Sequence, residues 1–192
     1  HQDDPIPKHC RVRLYFPGDR ELRFVDQRTF GQLWYVPPDQ APEAIITGLT
    51  RLGVEPLSDE FSVEYLANCL RDRKRPIKNT LLDQTLIAGI GNIYADESLF
   101  LSQIQPQTLS AALKPKQIKA LHAAIIKVLQ DSINARGTTF SDFRDVQGIN
   151  GNYGGIAWVY DRKGQPCRTC GTPIERMKLA GRSAHFCPQC QH

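Results

Sequence analysis

A chain of 192 residues with 41% hydrophobic content is long enough for one large domain or two small ones, and too apolar to be disordered. No run approaches the roughly eighteen apolar residues needed to cross a bilayer, and the opening His1-Gln2-Asp3-Asp4-Pro5 lacks both regions of a signal peptide, so a soluble intracellular protein is expected. The formal charge of +4 and pI near 8.8 favour a polyanionic partner only mildly.

Residues 9 to 16 alternate, with Cys10, Val12, Leu14 and Phe16 on one side and Arg11, Arg13 and Tyr15 on the other. Pro17-Gly18-Asp19 turns the chain and Leu22, Phe24 and Val25 begin the return, predicting a β-hairpin with one buried face. Leu33-Trp34-Tyr35-Val36, ended by Pro37-Pro38, reads as a third strand. Three strands cannot easily bury a sheet face unaided, so residues 1–38 look like the end of a larger sheet.

Prolines and glycines mark 39–57 as a linker. Ser58-Asp59-Glu60 precedes a helical stretch through Leu70, and Ile77 to Leu82 makes a short helix before Gly89-Ile90-Gly91. Asn92 is expected to cap the next helix, with Asp96 and Glu97 in its first turns, where the dipole favours negative charge. Pro115 opens the longest helix, whose stripe holds Ile118, Leu121, Ile125, Val128, Leu129 and Ile133, and Gly137 stops it. Residues 58–150 therefore read as a helical domain. From Gly148 to Gly155, four glycines and two asparagines predict a mobile functional loop. Residues 151–192 form the last domain.

Four of the six cysteines stand as Cys167-x-x-Cys170 and Cys187-x-x-Cys190, sixteen residues apart. Four thiolates at this spacing can close a tetrahedral shell around one structural zinc, with no open position for a catalytic water. Two local redox pairs are the weaker alternative. His185, two residues from Cys187, is too close to join the same shell easily. His122 reads as a boundary residue, and Cys10 and Cys69 as buried structural thiols.

Lys178 to Ser183 forms a hairpin tip between the cysteine pairs that presents Arg182, whose fork of donors suits a phosphate. Gly89-Ile90-Gly91-Asn92 places free amides before a helix, with Lys78 nearby, which also suits a phosphate, although such turns commonly only connect helices. Arg71, Arg73, Lys74, Arg75 and Lys78 form one basic cluster, and Arg162, Lys163, Arg168, Arg176, Lys178 and Arg182 another. Either cluster alone is equally readable as a solvated face.

Three segments, taken together, carry a family resemblance. They are Ile77-Lys78 through Leu82-Asp83 with Gly89 to Leu99, then Tyr160-Asp161-Arg162-Lys163-Gly164-Gln165-Pro166-Cys167, then Arg182-Ser183-Ala184-His185-Phe186-Cys187-Pro188-Gln189-Cys190. The chain resembles the formamidopyrimidine-DNA glycosylases along nearly its whole length, beginning at Pro7-Lys8-His9. The fold implied is α+β: the C-terminal part of a β-sandwich, a helix-two-turns-helix DNA-binding domain and a zinc β-hairpin finger. The function implied is base-excision repair, in which an oxidised purine such as 8-oxoguanine or a formamidopyrimidine is flipped out of the stack and excised, and the strand is cut by β,δ-elimination.

Residue by residue, the resemblance makes His9, Arg28 and Arg73 DNA contacts, and Lys78 and Asn92 phosphate or lesion-strand contacts. Arg182 becomes the finger arginine that grips phosphates flanking the lesion, with a role in the final elimination for which a phosphate clamp is the simpler physics. Arg28 and Phe30 match the loop that fills the gap left by the flipped nucleotide, although Phe30 by itself would read as core. The stretch after Gly137-Thr138-Thr139 matches the loop that closes over the base.

The partner implied is duplex DNA carrying an oxidised purine or abasic site, bound by a monomer in the cytoplasm at the nucleoid. The family attacks with an N-terminal proline followed by glutamate, aided by a lysine of a later strand, and none of these is present here. The 192-residue chain is accordingly expected to bind damaged DNA weakly and to be inert. Two rivals stand: the sister branch that removes oxidised pyrimidines, which Arg28-Thr29-Phe30-Gly31 disfavours, and a non-catalytic zinc-dependent damaged-DNA-binding module. A zinc module without nucleic acid leaves Lys78 and Arg182 unexplained.

Overall fold

The computed structural model describes residues 2–137 and 150–192, which divide into two compact units, His1–Leu49 and Thr50–His192. In the first unit, strand β1 (Cys10–Phe16) pairs antiparallel with β2 (Arg20–Val25), Phe16 opposite Arg20. Gly18 and Asp19 carry the turn at positive φ, 78° and 57°. A shift in register between Cys10 and Val12 interrupts the alternation seen in the sequence. A four-residue helix, α1 (Pro42–Ile45), follows.

Two expectations for this unit are corrected. Leu14 and Phe16, assigned to a buried face, are exposed, as are Leu22 and Val25. Among the described residues only a two-stranded ladder forms here, and Leu33 against Val12 and Phe24 covers too little of it to bury a face. Residues 33–36 form no strand. Their aromatic and β-branched content gives a strand its shape, but a ladder also needs a free edge to pair with, and among the described residues none is taken up.

The second unit is built around two helices. Helix α4 (Asn92–Leu101) packs against α5 (Pro115–Asn134) and against strand β4 (Arg182–Phe186), while α2 (Val63–Leu70) packs on α5 and α3 (Ile77–Leu81) on α4. Leu66, Leu70, Ile77, Leu81, Leu99, Leu121 and Ile125 form the core. On α5, Ile118, Leu121, Ile125 and Val128 are buried as the 3.6-residue period requires, whereas Ile133, expected on the same stripe, is exposed. The Gly137 N–H, at φ 89°, donates to the Ser132 carbonyl at 2.8 Å and ends that helix.

Helix starts lie slightly downstream of their sequence signals. Ser62 caps α2, its Oγ accepting the Tyr65 N–H at 3.0 Å, while Ser58 Oγ instead closes a turn onto the Glu55 carbonyl. Gly91 is the cap residue of α4, so Asn92 is its first residue and not its cap. Asp96 and Glu97 lie beyond the first turn and are fully buried; the dipole is not what holds them.

Of the predicted mobile loop, Thr138, Thr139, Gly148 and Ile149 lie outside the described residues. Residues 151–153 lie against the end of α5. The Asn152 N–H donates to Ala135 O at 2.9 Å, that of Tyr153 to Gly137 O at 3.1 Å, and Tyr153 is buried at the start of helix α6 (Tyr153–Ile156). A Cβ at Gly151 would sit 2.2 Å from the Gly137 carbonyl oxygen, so this approach needs glycine. Strand β3 (Glu175–Leu179) pairs antiparallel with β4 in a hairpin. Cys10 and Cys69 are half-buried and unpaired with each other, more accessible than the buried thiols expected. No helix among the described residues is long and apolar enough to cross a membrane.

Candidate metal centre and nucleic-acid interface

The Sγ atoms of Cys167, Cys170, Cys187 and Cys190 all lie within 4.8 Å of one another. Cys167 and Cys190 are 3.9 Å apart and Cys170 and Cys187 3.5 Å, close to the edge of about 3.8 Å expected for a tetrahedron with Zn–S bonds of about 2.3 Å. These short distances join one pair to the other, which fits a shared ion better than two local redox couples. Tight turns aim the thiols: the Gly171 N–H closes onto Cys167 O at 2.9 Å with φ 78°, and the N–H groups of Thr169 and Cys190 point at the sulfurs of Cys167 and Cys187. His185 is turned away toward Asp96 and is no member of the cluster. Phe100, Val159, Ile174, Cys167 and Cys187 form a small apolar cluster beneath, with Trp158 stacked on Phe100 at 5.6 Å. Such a core is too small to hold the hairpin without a metal.

The β3–β4 turn is Ala180-Gly181, both at positive φ, 45° and 83°. It presents Arg182 exposed at the start of β4, opposite Leu179. Directly behind, Lys78 is only 1% exposed. Its Nζ donates to Asp96 Oδ1 at 2.5 Å and to the Ser183 carbonyl. Burial holds the Lys78 ammonium below its ordinary pKa, a shift that the Asp96 carboxylate opposes. Lys78, expected from the resemblance to be a phosphate or lesion-strand contact, is an interior residue with two of its three donors already used.

Sequence reasoning missed what α4 does with its two acids. Asp96 Oδ2 accepts the His185 N–H at 2.9 Å and faces the ring Nδ1 at 3.3 Å. Glu97 accepts three backbone N–H groups, from Trp158 at 2.7 Å and from Val159 and Tyr160 at 2.9 Å each. Burial pushes its carboxyl up, against those three donors. Two neighbouring carboxylates thus tie both ends of the cysteine-bearing module to the helical core. Gln191 adds a third tie, accepting from Cys187 N and donating to Ile104 O, both at 2.8 Å. The signal available was Asp96-Glu97 set between Ala95 and Ser98-Leu99-Phe100, small and apolar neighbours that mark the middle of the helix as interior.

In the first unit Asp26 builds a compact loop. Its carboxylate accepts the N–H groups of Arg28 and Thr29 at 2.9 Å and of Gly31 at 2.7 Å, and these bonds, the Gly31 one foremost, hold its pKa down. A Cβ at Gly31 would lie 2.3 Å from the ring tip of Phe24, so a larger residue there would push that ring aside. The loop projects Phe30, 74% exposed, with the Arg28 guanidinium 4.8 Å over its ring. Phe30 is therefore not core. His9 precedes β1 at φ 69° and is half-buried.

Elsewhere in the second unit, half-buried Arg73 donates from Nε to Cys69 O at 2.8 Å. Asn92 Oδ1 is buried and has no partner among the described residues. His122 sits at the boundary, stacked on Phe61 and bonded to its carbonyl at 2.6 Å. Three groups of expected site residues are therefore brought together: the four cysteines, Arg28 with Phe30, and Lys78 with the strand that carries Arg182.

Residues 52–144 match the formamidopyrimidine-DNA glycosylase H2TH domain, and residues 164–192 match the zinc finger found in FPG and IleRS. With the cysteine geometry, the second match makes this a structural zinc site. A formamidopyrimidine-DNA glycosylase of Acaryochloris marina is 64% identical over 190 residues, covering 99% of this chain and 67% of that protein. The crystal structure of the MutM (Fpg) protein of Thermus thermophilus superposes with a TM-score of 0.88 at 42% identity, covering 98% of this chain and 70% of that one. The Lactococcus lactis FPG (MutM) solved with DNA containing Fapy-dG superposes with a TM-score of 0.85 at 35% identity, covering 99% and 68%. The chain thus spans about two-thirds of the length of the relatives it matches. It belongs to the formamidopyrimidine-DNA glycosylase family.

Proposed function

We propose that this chain is the DNA-binding and zinc-bearing part of a base-excision repair enzyme that removes oxidised purines, 8-oxoguanine or formamidopyrimidines, and then cuts the strand by β,δ-elimination. One observation carries the reading furthest: an exposed arginine, Arg182, directly after a two-residue turn, on a hairpin anchored by four cysteines at one end and by a buried ion pair behind it. A hairpin held this way brings the guanidinium to a phosphate with little backbone entropy left to lose.

In this reading Arg182 grips the phosphates flanking the lesion, and His9, Arg73 and Asn92 hold the backbone elsewhere. Phe30, with Arg28 over its ring, fills the gap in the stack and addresses the orphaned base, an arrangement that favours the purine over the pyrimidine branch. The protein acts as a monomer on duplex DNA in the cytoplasm, at the nucleoid. The ion, when bound, supplies rigidity and no reacting group, because four thiolates fill its shell.

The sugar-attacking amine is proposed to be an N-terminal proline of the family-length protein, and these 192 residues alone to bind without cutting. Borohydride trapping on 8-oxoguanine duplex tests both statements. A covalent adduct with the family-length protein and none with the 192-residue polypeptide is expected. An adduct with the 192-residue polypeptide overturns the assignment of the nucleophile, and no adduct with the family-length protein favours a non-catalytic binding module.

A further inference from the structure

We propose that the buried Lys78–Asp96 pair takes the place of a neighbouring β-strand on the free edge of β4 and thereby sets the pose of Arg182, so that Lys78 is a positioning residue and not a phosphate contact. This rests on the DNA-binding reading above.

In a strand, the C=O of one residue and the N–H of the residue two further on point to the same edge. On β4 those groups are the Ser183 carbonyl, which accepts from Lys78 Nζ, and the His185 N–H, which donates to Asp96 Oδ2 at 2.9 Å. A third strand would offer one donor and one acceptor at this spacing. Here an ammonium from α3 and a carboxylate from α4 offer them, joined to each other at 2.5 Å.

An uncapped buried edge would leave both backbone groups unsatisfied, and Lys78 or Asp96 alone would satisfy only one of them while burying its own charge without a counter-charge. The pair also fixes register. A slip of one residue would aim the clamped C=O and N–H at β3 instead of at the free edge and would turn Arg182 to the other face of the hairpin. Ser183 and His185 follow Arg182 directly, so the clamp acts within three residues of the exposed guanidinium. The two groups lie 105 residues apart in sequence, from Lys78 to Ser183, which ties the finger to the helical core at the point where it would otherwise rock.

The test uses the zinc-loaded 192-residue chain, with D96N, K78M, the K78M/D96N double variant, and each of these combined with R182A. The double variant leaves no unpaired buried charge and so guards against misfolding of the single ones. Affinity is read by fluorescence anisotropy on a short duplex holding a tetrahydrofuran abasic analogue, and the clamp itself by hydrogen exchange of the His185 amide, which needs no DNA.

R182A is expected to weaken binding at least tenfold. D96N, which touches no DNA, should weaken it at least fivefold with zinc still bound. In D96N or the double variant, R182A should then cost less than threefold, a coupling that a general loss of stability would not produce. The His185 amide should exchange at least tenfold faster in both. Wild-type affinity in D96N with the full R182A effect, or unchanged His185 exchange, overturns the clamp. A loss in K78M that D96N does not share makes Lys78 a phosphate contact. Fast His185 exchange in D96N, with no DNA binding by the wild type, retains the clamp and removes the DNA-binding reading.

Discussion

Replacing Glu97 by Gln should destabilise the zinc-loaded protein by about 2 kcal/mol. The carboxylate accepts three N–H groups, two of them at Oε1. A glutamine can place its carbonyl at that position and keep Val159 and Tyr160, but its NH2 then faces the Trp158 N–H, donor against donor. One charge-assisted bond is lost and one buried donor is orphaned, which together cost about 2 kcal/mol. Glu97→Ala orphans all three donors; sparing the desolvation of a carboxylate offsets part of this, leaving about 3–4 kcal/mol. Urea unfolding followed by Trp fluorescence and circular dichroism on zinc-loaded protein measures both. A Glu97→Gln protein within about 0.5 kcal/mol of wild type would show that the three bonds to Glu97 are not what joins the finger to α4.

Zinc removal by a chelator, or Cys187→Ser, should unfold residues 158–192 while α2 to α5 keep their helical signal, because their core is built from other residues; loss of the whole helical signal would contradict this. The Arg75 hydrogen bond, with Thr85, holds Asp83 down to about 2. A depressed carboxylate adds stability above its unfolded value near 4 and loses it as pH falls toward 2. Asp83→Asn should therefore flatten that part of the acid limb, by less than about 1 kcal/mol because the pair is at the surface, measured as stability at pH 6 minus that at pH 3. Phe30→Ala should leave stability unchanged and weaken selection of lesion duplex over intact duplex; a change in unfolding midpoint would mean that Phe30 packs against something.

The sequence was most readable where chemistry depends on short spacing. Two Cys-x-x-Cys pairs specify a tetrahedron almost regardless of context, and the 3.6-residue period of Ile118, Leu121, Ile125 and Val128 names the buried face of α5. Arg182 follows from its place in a hairpin between the cysteine pairs. What depends on distant partners was not readable. Lys78 looks like any surface cation until Asp96 and the Ser183 carbonyl close around it. Asp96 and Glu97 look like charges placed for a helix dipole, because nothing nearby in sequence announces the finger backbone that they bind. Leu33 to Val36 has the composition of a strand, but among the described residues it takes up no edge of the hairpin, and composition alone does not say which edge a strand will find. Gly151 to Tyr153 reads as a flexible run, yet its glycine permits close contact with the end of α5.

DNA binding by the zinc-loaded 192-residue chain, measured against salt on abasic-analogue and intact duplexes, tests the central claim most directly. A family DNA-binding surface built on Arg182, Arg73 and their neighbours should prefer the abasic duplex, and its affinity should fall with a log–log slope of about −3 to −5. Affinity that is flat in salt, or no binding even at about 50 mM salt, would contradict a phosphate-gripping surface on this chain.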